Sequence, residues 1–344
     1  METVTVTARA ADPWHNLALE EALLESAGER AVLYLWQNQN TVVIGRNQNA
    51  WRECRSALLE SEGGKLARRS SGGGAVFHDL GNLNYTVILP RALYDAARIG
   101  RMLKCALAGC GIEAFESGRN DLILAGGEKF SGAAYQFTAG RALQHGTLLV
   151  SADMEKLGRY LAPSPLKLKA KGVLSVRSRV KNLCEEAPGL TVPLLCRAVA
   201  DSFAEEFGPG PQVEEKDLVG SGSASSGERM SRVFSLDPSR VEELEKKYAS
   251  WEWRYGETPR FDLRLEERFD WGTIELLISV RSGIAETVRV FTDAMDETLS
   301  ERAERLLAGS RLTASALARR AALLGGLPGR DLAAWLKGIG PLQM

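Results

Sequence analysis

The succession of segments predicts an α/β (α+β) protein, with a large unit built on a mixed, mainly antiparallel sheet and a small α+β unit after it. Three observations carry this expectation. From Thr3 to Val150, alternating and β-branched runs outnumber helical ones and are often joined by tight turns, which favours antiparallel pairing over a regular βαβ repeat. The glycine-rich stretch at RRSSGGGAVFHDL has no GxGxxG spacing and no helix directly after it, which argues against a doubly wound dinucleotide fold. Finally, the Gly/Ser-rich stretch VGSGSASSGERMS precedes a second set of alternating strands that begins after Trp251-Glu252-Trp253.

Taken in order, Thr3 to Thr7 alternates Thr and Val and reads as a strand. Asp12-Pro13 is an N-cap followed by proline in the first turn, opening the helix WHNLALEEALLES. Strands are expected at Ala31 to Trp36 and Thr41 to Ile44, then a helix from Ala50 to Ser61 stopped by Gly63-Gly64. A strand over Asn82 to Leu89 closes on Pro90, and a helix spans Tyr94 to Gly109. Strands follow at Ile112 to Glu116, Asp121 to Leu124, Glu128 to Phe137 and Arg141 to Val150, with Gly126-Gly127 as a two-residue hairpin turn. Helices at Val192 to Phe207 and Pro238 to Ser250 flank the Gly/Ser stretch. Strands at Phe261 to Phe269, Thr273 to Val280 and Glu286 to Phe291 then precede helices from Leu299, Thr313 and near Leu332. The division expected is 1–250 for the large unit and 251–344 for the small one.

Bulk properties exclude several classes. With 344 residues, 44% hydrophobic and 25% charged, the chain has the composition of an ordinary globular protein. A net charge of -1 gives no global signal for nucleic acid or membrane surfaces. Five cysteines, an odd number without a CxxC pair, fit a reducing cytoplasmic setting rather than a disulfide framework or zinc site. No run approaches the roughly 18 apolar residues of a membrane helix, and the start has no secretory pattern.

The chemistry gathers at few places. Three consecutive glycines between strand-like segments suggest backbone bent around a ligand, with free N–H groups forming an anion site and Arg68 and Arg69 as donors; an ordinary glycine hairpin is the plainer alternative. Asp121 and Lys129 fall on neighbouring strands of the expected hairpin. An Asp can hold magnesium and a Lys can neutralise phosphate charge, although the pair taken alone reads better as a hairpin salt bridge. His145 in QHGTLLV could line a polar pocket with Thr147, or be a structural hydrogen-bonding residue, and the same holds for His15 and His78. The histidines are too dispersed for zinc catalysis, and no GxSxG elbow is present. Between Pro163 and Cys184 lie six basic residues and no acidic one, either a solvated face or a loop closing over phosphates. These features favour charge stabilisation of a nucleotide without a protein nucleophile.

The motifs RRSSGGGAVFHDLGNLNYTV, GRNDLIL, EKFSGAAY, QHGTLLV and LKAKGVLSVRSRVKNL, in this order, resemble the lipoate–protein ligase A family. The likeness continues through SWEWRYGETPRF, RFDWGTIEL and VFTD, covering nearly the whole chain. The resemblance implies a large biotin/lipoate-ligase-like catalytic domain and a small C-terminal accessory domain. It also implies a two-step reaction, in which ATP and lipoate give lipoyl-AMP and pyrophosphate and the lipoyl group then passes to a lysine of a lipoyl domain. Carried onto this sequence, the nucleotide and lipoyl-AMP contacts fall on Arg69, Gly74, Ala75, Val76, Phe77, Asn82, His145, Thr147 and Lys171. The essential lysine falls on Lys129, lipoate contacts on Lys129, Ser71 and Gly132, and the magnesium-facing residue on Asp121. Expected partners are the apo lipoyl domains of 2-oxoacid dehydrogenase complexes and the glycine-cleavage H protein, with lipoate or octanoate as the small molecule, and neither nucleic acid nor membrane.

Relatives of this fold that transfer octanoyl or lipoyl groups through a cysteine are disfavoured, because no cysteine occurs between Lys129 and Cys184. Biotin protein ligases carry a different glycine signature. A lipoyltransferase that accepts only preformed lipoyl-AMP, or a non-catalytic lipoate or lipoyl-AMP binder, remains the alternative.

Overall fold

The computed structural model describes residues 1–118, 120–161, 180–219, 235–255, 263–281 and 283–339. Most of the basic run, including Lys171, and the Gly/Ser-rich stretch lie outside the described residues.

The strands in chain order are β1 (Thr3–Thr7), β2 (Ala31–Trp36), β3 (Thr41–Ile44), β4 (Lys65–Arg68), β5 (Val76–His78), β6 (Asn82–Pro90), β7 (Phe115–Ser117), β8 (Asp121–Ile123), β9 (Lys129–Phe137), β10 (Arg141–Leu149), β11 (Gln212–Glu214), β12 (Leu263–Phe269), β13 (Gly272–Arg281) and β14 (Ile284–Thr292). Among the described residues they form an eight-stranded sheet in the order β11-β1-β2-β6-β10-β9-β8-β7, a small sheet β4-β3-β5, and a second small sheet β12-β13-β14. In the large sheet β1 pairs parallel with β11 and β2, and the other pairs are antiparallel. The mixed, mainly antiparallel expectation is met.

Both faces of the large sheet are covered, which accounts for the unbroken apolar run AVLYLW in β2. Ala31, Leu33 and Leu35 face the helices α2 (Ala96–Gly109) and α3 (Val192–Phe207). Val32, Tyr34 and Trp36 face α1 (Pro13–Ser26) and α4 (Pro238–Ala249). The cap read for α1 is present: the Asp12 carboxylate accepts from Trp14 N at 2.9 Å and His15 N at 3.2 Å. α2 starts at Ala96 rather than Tyr94 because Asp95 takes the cap position and accepts from Ala97 N. The expected helix over 50–61 is split into Ala50–Glu53 and Ser56–Ser61. β2 and β3 do not pair with each other and belong to different sheets. The segment between them is tied down instead: Asn16 Nδ2 donates to the Gln37 carbonyl at 2.8 Å and to Asn38 Oδ1 at 3.0 Å.

One hairpin differs in a way that matters for the site. The loop after β8 has three residues, Ala125 to Gly127, closed by Leu124 N to Glu128 O at 2.8 Å, with Gly127 at φ 84°. This is a three-residue turn with a left-handed last residue, not the two-residue turn expected. A register shift follows: Ile123 opposes Lys129, yet Leu122 opposes Ser131 and Asp121 opposes Gly132. Phe130 is thus an extra residue, a β-bulge.

Residues 263–339 have their own core, in which Ile274, Leu276 and Ile278 of β13 pack with Val288 and Val290 of β14 and with the helices α5 (Leu299–Leu307), α6 (Ala314–Ala322) and α7 (Gly326–Gly338). This unit docks on the large one through few polar bonds. Thr292 N donates to Asn47 O at 2.7 Å, Asn47 Nδ2 to Glu297 O at 2.8 Å, and Gly73 N to Ala294 O at 3.1 Å, while Arg46 pairs with Glu301 at 3.1 Å.

At this junction burial pushes the Glu297 carboxyl up to about 7, with Arg46 opposing it. A carboxyl raised on folding favours the folded state below its unfolded pKa, and that contribution is lost as pH rises through 7. Glu297→Gln is therefore expected to stabilise the chain at pH 8 by about 1–2 kcal/mol and to leave it nearly unchanged at pH 4.5. Urea denaturation at the two pH values reads both.

Candidate functional site

The site begins with sheet register. Directly opposed residues of antiparallel strands present their side chains to the same face. Trp36 opposes Asn84, and Asn84 opposes Thr147. Since Gly146 opposes Ala133, continuation of the ladder sets Thr147 beside Gly132, whose N–H donates to Thr147 Oγ1 at 3.4 Å. Gly132 in turn opposes Asp121. One row therefore crosses five strands on the face that carries α1: Trp36, Asn84, Thr147, Gly132, Asp121. The adjacent row contains Ala134, His145, Thr86 and Tyr34. These rows floor a cavity of about 150 Å³, walled by Gly73 to Val76 and capped on one side by Met295 of the small unit.

The bulge decides which way Lys129 points. By opposing Ile123, two residues from Asp121 on the same strand, Lys129 gains the cavity face; without the extra Phe130 it would project from the other. Lys129 Nζ meets Asp121 Oδ1 at 2.7 Å, both partly exposed at the cavity mouth. A Cβ on Gly132 would lie 3.0 Å from Lys129 Nζ, so the ammonium occupies the space that this glycine leaves. Lys181 N donates to Lys129 O at 3.0 Å, so the end of the basic run returns to the same residue.

The two arginines before the glycines point inward. Arg68 is buried and donates to the carbonyls of Gly45, Arg46, Gln48, Trp253 and Arg254 at 2.6–3.2 Å. It is a clip joining two chain segments, and the reading of Arg68 as an anion donor is corrected: its fork is fully engaged with main chain. Arg69 is likewise buried and donates to Gly72 O at 2.6 Å and Gly74 O at 2.8 Å, and its Nε to Ser71 Oγ at 3.1 Å. In a trans peptide the carbonyl and the next N–H point oppositely. Arg69 therefore draws the Gly74 carbonyl inward and turns the Ala75 amide outward. Among the described residues the amides of Gly74 and Ala75 make no hydrogen bond, and open space surrounds Gly74. Burial lowers both guanidinium groups to about 10, which leaves them charged at neutral pH.

Behind the loop runs a buried polar chain. Arg69 Nε donates to Ser71 Oγ, Ser71 Oγ lies 2.7 Å from His145 Nε2, and His145 Nδ1 lies 2.8 Å from Glu20 Oε1. Thr86 Oγ1 donates to the same Glu20 oxygen at 2.5 Å. With Ser71 donating to Nε2, the imidazole carries its proton on Nδ1, toward the carboxylate.

Of the residues singled out in the sequence, Arg69, Gly74, Ala75, Val76, Lys129, Gly132, His145 and Thr147 line this cavity. Asp121 stands beside it through Lys129. Ser71 acts from behind, on His145. Asn82 lies under Asn84, and the Phe77 side chain turns away to pack on Tyr160, 5.5 Å between ring centroids. Glu20, Trp36, Asn84 and Met295 were not anticipated. For Asn84 a signal existed: Asn82, Asn84 and Thr86 make a polar stripe of period two in an otherwise apolar strand.

Comparison with known proteins identifies the arrangement. Residues 12–204 match the lipoyl protein ligase A/B catalytic domain, more than half of the chain. The chain is a member of the lipoyl protein ligase A/B family. Residues 258–324 also match the bacterial lipoate protein ligase C-terminus. The fold of this ligase-family chain is shared with P. falciparum LipL1, solved in complex with lipoate, at 23% identity over 98% of each chain and a TM-score of 0.81. A bipartite lipoate protein ligase from Thermoplasma acidophilum, studied with its E2 lipoyl domain, is 25% identical over 76% of this chain and 100% of its own, at a TM-score of 0.60. A lipoate-protein ligase A bound with ATP is 24% identical over 74% of this chain and 99% of its own, at a TM-score of 0.58. Among the described residues no helix is long and apolar enough to cross a membrane.

Arg68→Ala would strand four inward-facing carbonyls, those of Arg46, Gln48, Trp253 and Arg254, while Gly45 O keeps the Gln48 amide. The expected loss is about 3–5 kcal/mol of stability, with Arg68→Lys recovering only part because an ammonium cannot span the same fork. The denaturation midpoints of the two variants check this.

Proposed function

We propose that the chain is an ATP-dependent lipoate–protein ligase that forms lipoyl-AMP and passes the lipoyl group to a lysine of lipoyl domains, those of 2-oxoacid dehydrogenase complexes or the glycine-cleavage H protein. The observation that carries this reading is the Lys129–Asp121 pair, set at the polar mouth of an apolar cavity beside a glycine loop with unpaired amides. Lipoate is a carboxylate on an apolar tail, and the cavity matches that division, with Leu17, Val43, Val76 and Ala134 inside and Lys129 at the opening.

In the first step a lipoate carboxylate oxygen attacks the α-phosphorus of ATP, and the bond to the β-phosphate breaks to release pyrophosphate. The Lys129 ammonium neutralises charge on the carboxylate and on the α-phosphate, while the outward amides of Gly74 and Ala75 receive phosphate oxygens. In the second step the acceptor lysine's neutral amine attacks the lipoyl carbonyl carbon, the carbonyl-to-AMP oxygen bond breaks, AMP leaves with that electron pair, and the nitrogen gives up one proton to water. Lys129 is placed to hold negative charge on the carbonyl oxygen in this step too, which is transition-state binding used twice. Magnesium would supply further neutralisation of the phosphates. Among the described residues no cluster of three ligating side chains exists, but an ion held mainly by phosphates and water requires only one carboxylate, and Asp121 is the residue that would provide it. Thr147 and His145 line the passage between mouth and interior, and Lys171 is proposed to cover the intermediate against water, as its motif suggests. No cysteine lines the cavity among the described residues, which supports direct transfer from the adenylate over a thioester route.

Intact mass of an apo lipoyl domain, incubated with this chain, lipoate and MgATP, tests the reading. A gain of one lipoyl group that needs ATP is expected. A shift only with supplied lipoyl-AMP would make the chain a transferase without activation, and no shift with either would leave a binder. Lys129→Ala is expected to reduce transfer at least a hundredfold with the fold retained; near-normal turnover would overturn the assignment. Gly132→Ala is expected to push the ammonium off Asp121 and slow transfer about tenfold to a hundredfold, with an unchanged unfolding curve, because only the mobile end of Lys129 must shift.

A further inference from the structure

Two buried donors on the cavity wall have no partner. Asn84 is 1% exposed, and its Oδ1 accepts from Asn82 Nδ2 at 3.0 Å, which leaves Nδ2 unpaired. His78 is 3% exposed, and its Nε2 is unpaired. The tautomer of His78 follows from its neighbours. Asn38 Oδ1 accepts from Asn16 Nδ2 at 3.0 Å, so Asn38 Nδ2 is the atom that meets His78 Nδ1 at 3.2 Å. Nδ1 then accepts and the ring proton sits on Nε2. Burial, with Arg69 and His145 nearby, pushes this imidazole down to about 3, so it is neutral under ordinary conditions. Both residues line the cavity, among Leu17, Trp36 and Val43.

A buried N–H without an acceptor costs about 1–3 kcal/mol, so two of them facing one apolar cavity point to a ligand atom that accepts. The acceptor must be neutral and compatible with an apolar surround. Divalent sulfur has these properties, being a weak, polarisable acceptor that otherwise packs like a hydrocarbon. The distance also agrees. From Gly132, over which Lys129 Nζ sits, to Asn84 is two strand spacings, about 10 Å. In extended lipoate the carboxyl carbon and the nearer ring sulfur are about 8 Å apart, at the ~1.2 Å advance per bond of an extended chain.

We propose that Asn84 Nδ2 and His78 Nε2 form a sulfur-recognising subsite at the inner end of the cavity, which selects a dithiolane ring over a hydrocarbon tail such as that of octanoate. The proposal deepens the lipoate reading and rests on it. Without the ring sulfurs both donors stay buried and unpaired, so a hydrocarbon acid is penalised by what it lacks rather than by its shape.

The test uses 5-cyclopentylpentanoate, which keeps the five-membered ring and chain but replaces both sulfurs with methylenes. Equilibrium binding of this acid and of lipoate to the full chain, without ATP, is expected to favour lipoate about five- to tenfold in the wild type. In Asn84→Leu and in His78→Leu the ratio is expected to fall toward one, with the carbocyclic acid binding more tightly than it does to the wild type. Equal binding of both acids by the wild type would overturn the subsite, and that comparison stands whether or not a variant folds. An unchanged ratio in both variants would overturn it as well. Equal binding accompanied by intact ATP-dependent transfer would remove the subsite alone, whereas binding of neither acid would remove the lipoate reading together with it.

Discussion

Everything at this site depends on two buried guanidinium groups that gather main-chain carbonyls. A glycine-rich loop has no side chains to hold its shape, and three adjacent glycines lose more conformational freedom on ordering than any other triplet. Arg69 supplies the missing restraint by gathering the Gly72 and Gly74 carbonyls, and Arg68 fixes the base of the loop to the segments at Gly45–Gln48 and Trp253–Arg254. Because the Gly74 carbonyl drawn inward turns the following amide outward, Arg69 aims the Ala75 N–H away from the core. Burial lowers both guanidinium groups to about 10, so each remains protonated at neutral pH.

The large sheet supplies the dimension that the loop lacks. Its register sets polar and small residues in a row from Asp121 to Trp36, so that functions separated by a fixed number of strands are separated by a fixed length. One added residue, Phe130, moves Lys129 onto this row. The bulge also buries the Phe130 ring in the core between the sheet, α2 and α3. Its hydrophobic burial helps to offset the lost ladder pairing and stabilises the register that aims the lysine.

The sequence made the architecture and the pairing of Lys129 with Asp121 legible, and the reasons are local. Alternation in β6 and β10, the Asp12-Pro13 cap and the glycine run each depend on residues near one another in the chain. Lys129 and Asp121 were legible as a pair because one hairpin joins them, but their shared face was not derivable from a two-residue turn, which would have set them on opposite sides. The inward turn of Arg68 was hidden because all five of its acceptors are main-chain carbonyls, from segments as far off as Trp253, and main-chain acceptors leave no trace in side-chain pattern. Glu20 was hidden for a related reason: it sits on the buried face of α1 among leucines, and only His145 and Thr86, brought by strands far along the chain, make that position favourable for an acid.

The small unit completes the cavity at one wall. Its own core is built from β13, β14 and three helices, whereas its hold on the site consists of a few hydrogen bonds and the Met295 side chain. Polar bonds of this kind contribute about 1 kcal/mol each, and the Thr292 and Gly73 amides that make two of them are buried, so losing those partners would cost more. The Gly73 amide is given to Ala294 O, unlike the unpaired amides of Gly74 and Ala75. Methionine suits such a position because its flexible thioether can fill a gap of changing shape. The wall formed by Ala294 and Met295 is, among the described residues, the only cavity wall that the small unit supplies, held against the glycine loop by the Gly73–Ala294 bond and the Met295 thioether near Gly73.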